Sequence, residues 1–430
     1  MPDATPPPRP PSVYADLESD VRSYCRSWPT TFVSASGSTV TDQSGKQYLD
    51  FFAGAGALSF GHNDPQLIDA AITHLRSGGL LHSLDTHTPE KGHLLEALRD
   101  VILEPRGLDM VVQFVGPTGA TSVEAALRLA HRVTGRHGVV AFDGGYHGMT
   151  ERTAGVSGSL GRLASDCTLL PFVADATGDD VSLLDEAMRG ATSGSRPGAV
   201  IIEPTQGEGG ARPFDPRYLD AVGRLARAHD VVVIADEVQA GVGRTGGFFS
   251  FEGTGLDPDI VCLSKSISGL GLPLALNLVR RSRDQWSPGE FTGTFRGSNL
   301  AFVTATAMLH GHWRDDRLET GTARKGLLVH QGLAEVIDRA GPGAAGFEVS
   351  GKGLLWGLHT GAPAVARKIA AAAFDRGLLV ETCGPGGGTV KILPPLVIEA
   401  AELERGFDCL ADAAASVLRS QPRLLGAGQL

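Results

Sequence analysis

The sequence predicts an α/β protein with a mostly parallel sheet in a large domain, followed by a smaller α+β domain. Runs such as "GAVIIEP" and "VVVIADE" are apolar throughout rather than alternating, which is typical of strands covered by helices on both faces. Helical stretches such as "SVEAALRLAHRVT" separate these runs. From about residue 320 the pattern changes to shorter strands such as "GFEVSGKGLLWGLHT" and "TVKILPPLVI", which indicates a second domain.

The chain is predicted to have four parts. The predicted boundaries are 1–12 for a disordered Pro-rich leader, 13–64 for an N-terminal segment that joins the small domain, 65–318 for the large ligand-binding domain and 319–430 for the small C-terminal domain. The N-terminal segment is expected to begin with one helix over "SVYADLESDVRSYCR" and to continue with short strands. Two further helices are predicted near 299–312 and 317–340.

Composition narrows the class of protein. The 430 residues are 42% hydrophobic and 20% charged, as in ordinary globular proteins. A net charge of -10 without a basic run argues against a nucleic-acid surface. No stretch approaches the ~20 apolar residues of a membrane-spanning helix and the leader lacks an apolar core, so a cytoplasmic location is expected. The five cysteines are scattered without metal-ligand spacing, which predicts neither disulfides nor a metal site.

Three side chains at strand ends carry the functional prediction. Lys265 ends the apolar run "DIVCLS" and precedes the glycine-rich "GLGLPLAL", yet a buried ammonium is costly unless it is paired or neutralised. Asp236 ends "VVVIA", where a carboxylate needs a cationic partner. Tyr146 follows a strand in "FDGGYHGMT" and could stack on a flat ligand, although a lone tyrosine is more often a packing residue. Ligands of parallel sheets bind at the carboxyl ends of the strands.

A loop that enters a helix could bind a phosphate. In "GPTGATSVEAALRLA", free backbone N–H groups and the helix dipole converge on one point. The simpler interpretation is an N-cap formed by Thr118, Thr121 or Ser122. A dinucleotide motif with its glycines at 241, 243 and 246 is not supported, because these glycines neither follow the strand directly nor open a helix.

Together these groups match the requirements of pyridoxal phosphate. A lysine forms the Schiff base, an acid keeps the pyridine nitrogen protonated, and a phosphate site anchors the ring. An imine in place of the free ammonium would also explain why Lys265 lies in an apolar turn. The sequence therefore predicts a pyridoxal phosphate enzyme.

From about residue 14 to 418 the sequence resembles the class III aminotransferases, which are pyridoxal phosphate enzymes of fold type I. Within that class it is most similar to the diaminobutyrate–2-oxoglutarate aminotransferases, including those of ectoine biosynthesis. The motifs that carry the closer similarity are "LESDVRSYCRSWP", "LDFFAGAGALSFGHNDP", "LLHSLD", "PDIVCLSKSISGLGLPLAL" and "GTFRGSNLAFVTATA".

The resemblance implies a role for each cofactor residue. Lys265 is the Schiff-base lysine, Asp236 the partner of the pyridine nitrogen, and Tyr146 the residue stacked on the ring. The remaining cofactor residues are Gly119 and Ala120 in the phosphate loop, Thr121 with the hydroxyl moved by one position, and Gln239 at the 3-hydroxyl of the ring.

The resemblance also implies substrate and subunit contacts. Thr294 reaches the phosphate of a neighbouring subunit, which implies a homodimer or a larger homo-oligomer. Glu208 matches a gate glutamate, and Lys391 stands where related ω-aminotransferases carry the arginine that binds an α-carboxylate. Alternatively, Lys391 extends from the small domain into solvent. In "GMTERT", Glu151 and Arg152 depart from the family pattern near the Tyr146 loop.

The implied activity is amino transfer, EC 2.6.1, between glutamate or 2-oxoglutarate and the terminal carbon of L-2,4-diaminobutyrate or aspartate 4-semialdehyde. Three alternatives remain open. The enzyme could act on another diamine or ω-amino acid, it could be a decarboxylase or racemase of the same fold, or the chain could be a binding protein without activity. Only transamination needs a stoichiometric keto-acid acceptor.

Overall fold

The computed structural model describes residues 12–191 and 194–420, so the predicted leader lies outside the described residues except for its last residue. The strands are β1 (Phe32–Ser36), β2 (Thr39–Asp42), β3 (Gln47–Asp50), β4 (Met110–Phe114), β5 (Val139–Phe142), β6 (Cys167–Leu170), β7 (Ala199–Ile202), β8 (Thr205–Gln206), β9 (Arg212–Pro213), β10 (Val232–Asp236), β11 (Ile260–Leu263), β12 (Leu276–Arg280), β13 (Glu348–Lys352), β14 (Leu355–His359), β15 (Leu378–Leu379), β16 (Glu381–Cys383) and β17 (Thr389–Ile392). The α-helices are α1 (Val13–Leu17), α2 (Tyr24–Ser27), α3 (Ala53–Gly56), α4 (Pro65–Ser77), α5 (Pro89–Ala97), α6 (Gly119–Thr134), α7 (Glu151–Ala154), α8 (Gly178–Arg189), α9 (Pro216–Ala228), α10 (Asn299–His312), α11 (Arg317–Ala340), α12 (Pro363–Asp375) and α13 (Ala400–Ser420).

A seven-stranded sheet of order β4-β12-β11-β10-β7-β5-β6 forms the centre of the large part of the chain. It is parallel except for β12, which runs antiparallel to β11 and β4, so the predicted mostly parallel sheet is confirmed. Successive strand residues enter different cores: Val233 packs in the core that contains the apolar face of α9, and Ile234 in the core that contains the apolar face of α6. Burial on both faces explains why the strand sequences are continuously apolar.

The C-terminal part is built on a second, antiparallel sheet of order β13-β14-β17-β16. Its core is packed with residues of α11, α12 and α13, and Phe51 from the N-terminal segment also belongs to it. The same segment shares a further sheet with the C-terminal part, because β3 pairs in parallel with β15. The predicted domain boundaries at 64/65 and 318/319 fall at the start of α4 and in the first turn of α11. They stay a prediction.

The N-terminal segment differs from its prediction. Instead of one helix over "SVYADLESDVRSYCR", the chain forms the short helices α1 and α2, separated by residues 18–23. Val13, Leu17 and Val21 are exposed. Without an apolar face to bury, a long helix gains little tertiary stabilisation, so the single-helix prediction is wrong.

The two other specific helix predictions are confirmed as α10 and α11. Within residues 12–191 and 194–420, no helix combines the length and apolar character needed to cross a membrane.

Candidate active site

A cavity of about 460 Å³ lies beyond the carboxyl ends of β5, β7, β10 and β11. The residues that line it are Thr118, Gly119, Ala120, Tyr146, His147, Gly148, Met149, Thr150, Glu203, Glu208, Asp236, Val238, Gln239 and Lys265. The structure therefore brings together seven residues selected from the sequence, which are Gly119, Ala120, Tyr146, Glu208, Asp236, Gln239 and Lys265. Thr121, Thr294 and Lys391 do not line this cavity.

Lys265 begins a short 3-10 turn two residues after β11 ends. Its φ of 51° is left-handed, a conformation that costs a non-glycine residue about 1–3 kcal/mol and persists only where neighbouring contacts impose it. Two serines supply such contacts: Ser264 Oγ donates to Leu274 O at 3.0 Å, and Ser266 Oγ donates to Gly56 O at 2.6 Å. Burial lowers the pKa of the Lys265 ammonium more than Glu208 raises it, which favours the nucleophilic neutral amine.

Asp236 is the last residue of β10 and is only 3% exposed. The cationic partner that its burial requires is His147, whose Nδ1 lies 2.7 Å from Asp236 Oδ2. Burial lowers the pKa of His147. The hydrogen bond to Asp236 and the charge of Asp236 raise it by a larger amount, so the net shift of this pKa is upward. In the sequence, His147 follows Tyr146 in "FDGGYHGMT", where a single histidine does not by itself indicate a role.

A second buried acid, Glu203, was missed. It directly follows β7, as Asp236 ends β10, and this repeated pattern of an acid closing an apolar run is a signal that the sequence contained. Glu203 accepts hydrogen bonds from Tyr146 N at 2.8 Å and from Gly207 N at 2.9 Å. Burial raises the pKa of Glu203 to about 7. This carboxyl group therefore joins the Tyr146 loop to the loop that carries Glu208.

The N-terminus of α6 forms another wall of the cavity. Thr118 is the N-cap, because its hydroxyl accepts a hydrogen bond from Thr121 N at 3.2 Å. Thr118 also lines the cavity. The predicted N-cap and the predicted phosphate site are therefore the same turn at the start of α6. At Gly119 an added Cβ would lie 2.8 Å from Val238 Cγ1, so a side chain does not fit there. The role predicted for Thr121 stays a prediction.

Glu208 and Lys391 form an ion pair. Lys391 Nζ lies 2.5 Å from Glu208 Oε1, and Gln239 Nε2 donates to the same oxygen at 3.2 Å. The Lys391 side chain is 0% exposed, so the alternative in which it extends into solvent is wrong. Burial would raise the pKa of Glu208, but Lys391 and Lys265 lower it more, and the carboxyl group is therefore ionised near neutral pH.

Lys391 has a second carboxylate partner, Glu381, which was not among the residues predicted for the site. Glu381 lies directly opposite Lys391 in the antiparallel pair of β16 and β17, and its Oε1 is 2.7 Å from Lys391 Nζ. Tyr24, from the N-terminal segment, lies beside these acids: burial first, and then Glu381 and Glu208, raise the pKa of its hydroxyl. A glutamate inside the apolar run "GLLVETCG" was the available signal.

The two family departures near Tyr146, Glu151 and Arg152, lie outside the cavity lining. Arg152 donates to Asp166 Oδ1 at 2.7 Å and to His137 O at 2.8 Å, and neither Glu151 nor Arg152 lines the cavity. Thr294 is exposed and its carbonyl lies 2.7 Å from His82 Nε2. Its predicted contact with a second subunit stays a prediction.

Gly207→Ala is expected to lower kcat/KM more than tenfold while the protein remains folded. A Cβ at this position would lie 1.8 Å from Gln239 Oε1, so the glutamine side chain must leave its position between Ala55 O and Glu208. Steady-state kinetics and thermal melting measure the two effects. Gly92→Ala in α5 is the matched control, because an added Cβ there meets open space. Wild-type kinetics in Gly207→Ala would contradict the importance of this contact.

Comparison with known proteins identifies the class. Residues 24–414 match the family model for class-III aminotransferases. The chain is 46% identical over 422 residues to a diaminobutyrate–2-oxoglutarate transaminase of Nocardia farcinica, covering 96% of each protein. It is 43% identical over 420 residues to a protein of the same name from Halalkalibacterium halodurans, covering 95% of this chain and 97% of the relative.

Solved structures show the same fold at lower sequence identity. A Bacillus anthracis aminotransferase superposes with a TM-score of 0.82 at 24% identity, covering 93% of this chain and 96% of that one. The ornithine aminotransferase of Toxoplasma gondii superposes with a TM-score of 0.79 at 23% identity, covering 95% and 94%. The fold is that of the type I pyridoxal phosphate transferases.

The family match defines the enzyme as a transaminase, which moves amino groups between small amino and keto acids. The chain belongs to the class III aminotransferase family. Membership of this family implies pyridoxal phosphate as the cofactor.

Proposed function

We propose that this enzyme moves an amino group between glutamate or 2-oxoglutarate and the terminal carbon of L-2,4-diaminobutyrate or aspartate 4-semialdehyde, with pyridoxal phosphate bound at Lys265. The observation that carries the proposal is the ion pair of the cavity residue Glu208 with the buried Lys391, which places a negative charge at the cavity beside Lys265 and a positive charge directly behind it. The names and 42–46% identities of relatives that align with at least 93% of this chain support the choice of substrates.

The cavity residues fit pyridoxal phosphate. Lys265 supplies the amine for covalent attachment, and Thr118, Gly119 and Ala120 present the start of α6 to a phosphate. Gln239 Oε1 is buried and has no hydrogen-bond partner among the described residues, which suits a contact with the ring hydroxyl. Asp236, held by His147, suits a protonated pyridine nitrogen, and Tyr146 suits a ring face.

When bound, pyridoxal phosphate withdraws electrons from the carbon that bears the amino group, so that this carbon loses a proton more readily. Lys265 would take that proton, since burial lowers its pKa towards the value of an effective base. Asp236 would hold the proton on the pyridine nitrogen, and His147 would keep the Asp236 carboxylate oriented. Tyr146 and Val238 would exclude water from the ring.

The Glu208–Lys391 pair explains how one pocket serves two kinds of substrate. A diamino acid reacts at its terminal amine and needs little positive charge near the ring. Glutamate reacts at its α-amine, which brings its α-carboxylate beside the ring. While Glu208 contacts Lys391 at 2.5 Å the positive charge is balanced, and movement of Glu208 would make the ammonium available to that carboxylate.

Lys391→Ala is expected to impair the glutamate half-reaction about tenfold to a hundredfold more than the diamino-acid half-reaction. A lost charge-assisted contact is worth roughly 1.5 to 3 kcal/mol, and only glutamate places a carboxylate at this position. Glu208→Ala should change the ratio of the two half-reactions. Single-turnover absorbance measurements on each half-reaction test both variants, and equal losses in both would rule out the gate.

A substrate panel tests the function itself. The cofactor-loaded enzyme is mixed separately with glutamate, L-2,4-diaminobutyrate, other diamines and ω-amino acids, and the change in its visible absorbance is followed. Rapid change with glutamate and diaminobutyrate, and product formation that requires a stoichiometric keto acid, is the expected result. Turnover of diaminobutyrate without a keto acid would indicate a decarboxylase or racemase. Faster reaction with another diamine would show that diaminobutyrate is not the preferred substrate.

The subunit arrangement is part of the same proposal. Thr294 is exposed and lies outside the cavity of its own chain, which suits a contact with the phosphate in a neighbouring subunit of a homodimer or larger homo-oligomer. A cytoplasmic location is proposed with it.

A further inference from the structure

Lys391 lies between two carboxylates rather than one. Its Nζ is 2.5 Å from Glu208 Oε1 and 2.7 Å from Glu381 Oε1. The lysine side chain is 0% exposed and the Glu381 side chain is 9% exposed. One carboxylate would suffice to balance one ammonium, so the second gives this cluster of Glu208, Lys391 and Glu381 a net charge of about minus one when both acids are ionised.

The three residues have unequal access to substrate. Glu208 lines the cavity, whereas Lys391 and Glu381 lie behind it. The backbone of Glu208 is held in place, since Gly384 N donates to Glu208 O at 2.8 Å, so its side chain is the part that can turn. Lys391 therefore lies between Glu381 and the cavity residue Glu208, and it is the contact through which Glu381 can influence the position of Glu208.

Glu381 and Lys391 form a buried ion pair. Glu381 Oε1 is buried and lies 2.7 Å from the Lys391 ammonium nitrogen. Burial raises the pKa of Glu381. Burial lowers the pKa of Lys391, but the charges of Glu381 and Glu208 raise it by more, so the net shift of the Lys391 pKa is upward. Both carboxylates therefore help to keep Lys391 charged.

The second carboxylate has a consequence for cationic substrates. With Glu208 as its sole partner, Lys391 would be left as an unpaired buried ammonium whenever Glu208 turned to a substrate, which is strongly unfavourable. With Glu381 in place, Lys391 remains paired. A substrate ammonium can then take the Glu208 carboxylate, and the net negative charge of the cluster attracts it further.

We propose that Glu381 is a positioning residue that sets substrate preference, by keeping Lys391 paired so that Glu208 is available to the ammonium of a diamino acid. The inference rests on the proposed function. Its role is distinct from that of Glu208, because Glu208 lines the cavity and Glu381 does not.

Glu381→Gln tests the inference by binding rather than turnover. Wild type and variant holoenzymes are first reduced with borohydride, which fixes the cofactor to its lysine and prevents reaction. Calorimetry then measures the dissociation constants of L-2,4-diaminobutyrate and of glutarate, an unreactive dicarboxylate. We expect about tenfold weaker binding of diaminobutyrate to Glu381→Gln, with glutarate bound as tightly as in wild type or more tightly. In unreduced enzyme, the KM for diaminobutyrate should rise more than kcat falls.

Two variants complete the experiment. Glu348→Gln removes an exposed carboxylate from β13 of the same sheet and should leave both dissociation constants unchanged. Glu381→Asp keeps the charge and should restore the wild-type ratio of the two constants. If Glu381→Gln does not fold, the Asp variant decides, since loss of the wild-type ratio in a folded Glu381→Asp enzyme would contradict the proposal.

The remaining outcomes separate this inference from the proposed function. If Glu381→Gln binds both ligands equally more weakly, Glu381 is a structural residue. If both dissociation constants are unchanged, Glu381 has no part in substrate preference. Either result leaves the activity of the wild type untouched. Failure of wild-type enzyme to transfer an amino group from diaminobutyrate would instead overturn the proposed function.

Discussion

Lys265→Ala is expected to abolish turnover, with residual activity at the limit of detection. The substitution removes both the amine that would hold the cofactor and the base that would move the proton on the substrate carbon. Lys265 is the lysine that lines the cavity, so no second amine among the residues lining it can substitute. Two roles lost at one atom give the largest effect of any single change in the site.

The measurement is steady-state amino transfer together with mapping of the attachment site. Borohydride reduction of the wild type followed by peptide analysis should find the cofactor on the peptide that contains Lys265. Lys352→Ala, at a half-buried lysine in β13 outside the cavity, is the control and should retain wild-type activity. Recovery of the cofactor on another lysine would show that the assignment is wrong.

Asp236→Asn is expected to lower turnover on the order of a hundredfold or more in a protein that still folds. The neutral amide cannot hold a proton on the pyridine nitrogen, so the electron withdrawal that drives the reaction is weakened. The substitution also leaves His147 without its carboxylate. Because hydrogen bonding to Asp236 and its charge raise the pKa of His147 against the effect of burial, this imidazole should become neutral in the variant.

Kinetics and spectroscopy check the second prediction separately. Single-turnover rates should fall with little change in melting temperature, and the pH at which the visible absorbance of the bound cofactor changes should shift. Asp109→Asn, which removes an exposed carboxylate paired with Arg281 in the large part of the chain, is the control and should behave as wild type. Near-normal rates in Asp236→Asn would show that Asp236 is not the partner of the pyridine nitrogen.

The sequence by itself determined the class of fold and the principal groups of the cavity. Continuous apolar runs require burial on both faces, which makes a parallel sheet covered by helices the consistent solution. Strand ends in such a sheet meet at one edge, so Asp236 and Lys265 could be brought together by reasoning from each strand separately. The same local reasoning failed for the N-terminal helix, where exposed apolar residues left nothing to stabilise it.

Only the tertiary structure decided which groups balance the buried charges. The pairing of Glu381 with Lys391 depends on the register of β16 against β17, and the placement of Tyr24 beside them depends on where the N-terminal segment packs. His147 and Glu203 gained their roles from loops that follow β5 and β7. Hydrophobic periodicity indicates which face of an element is buried. The partner of a buried charge is instead determined by contacts between segments that are far apart in the chain. Such contacts leave no local pattern in the sequence.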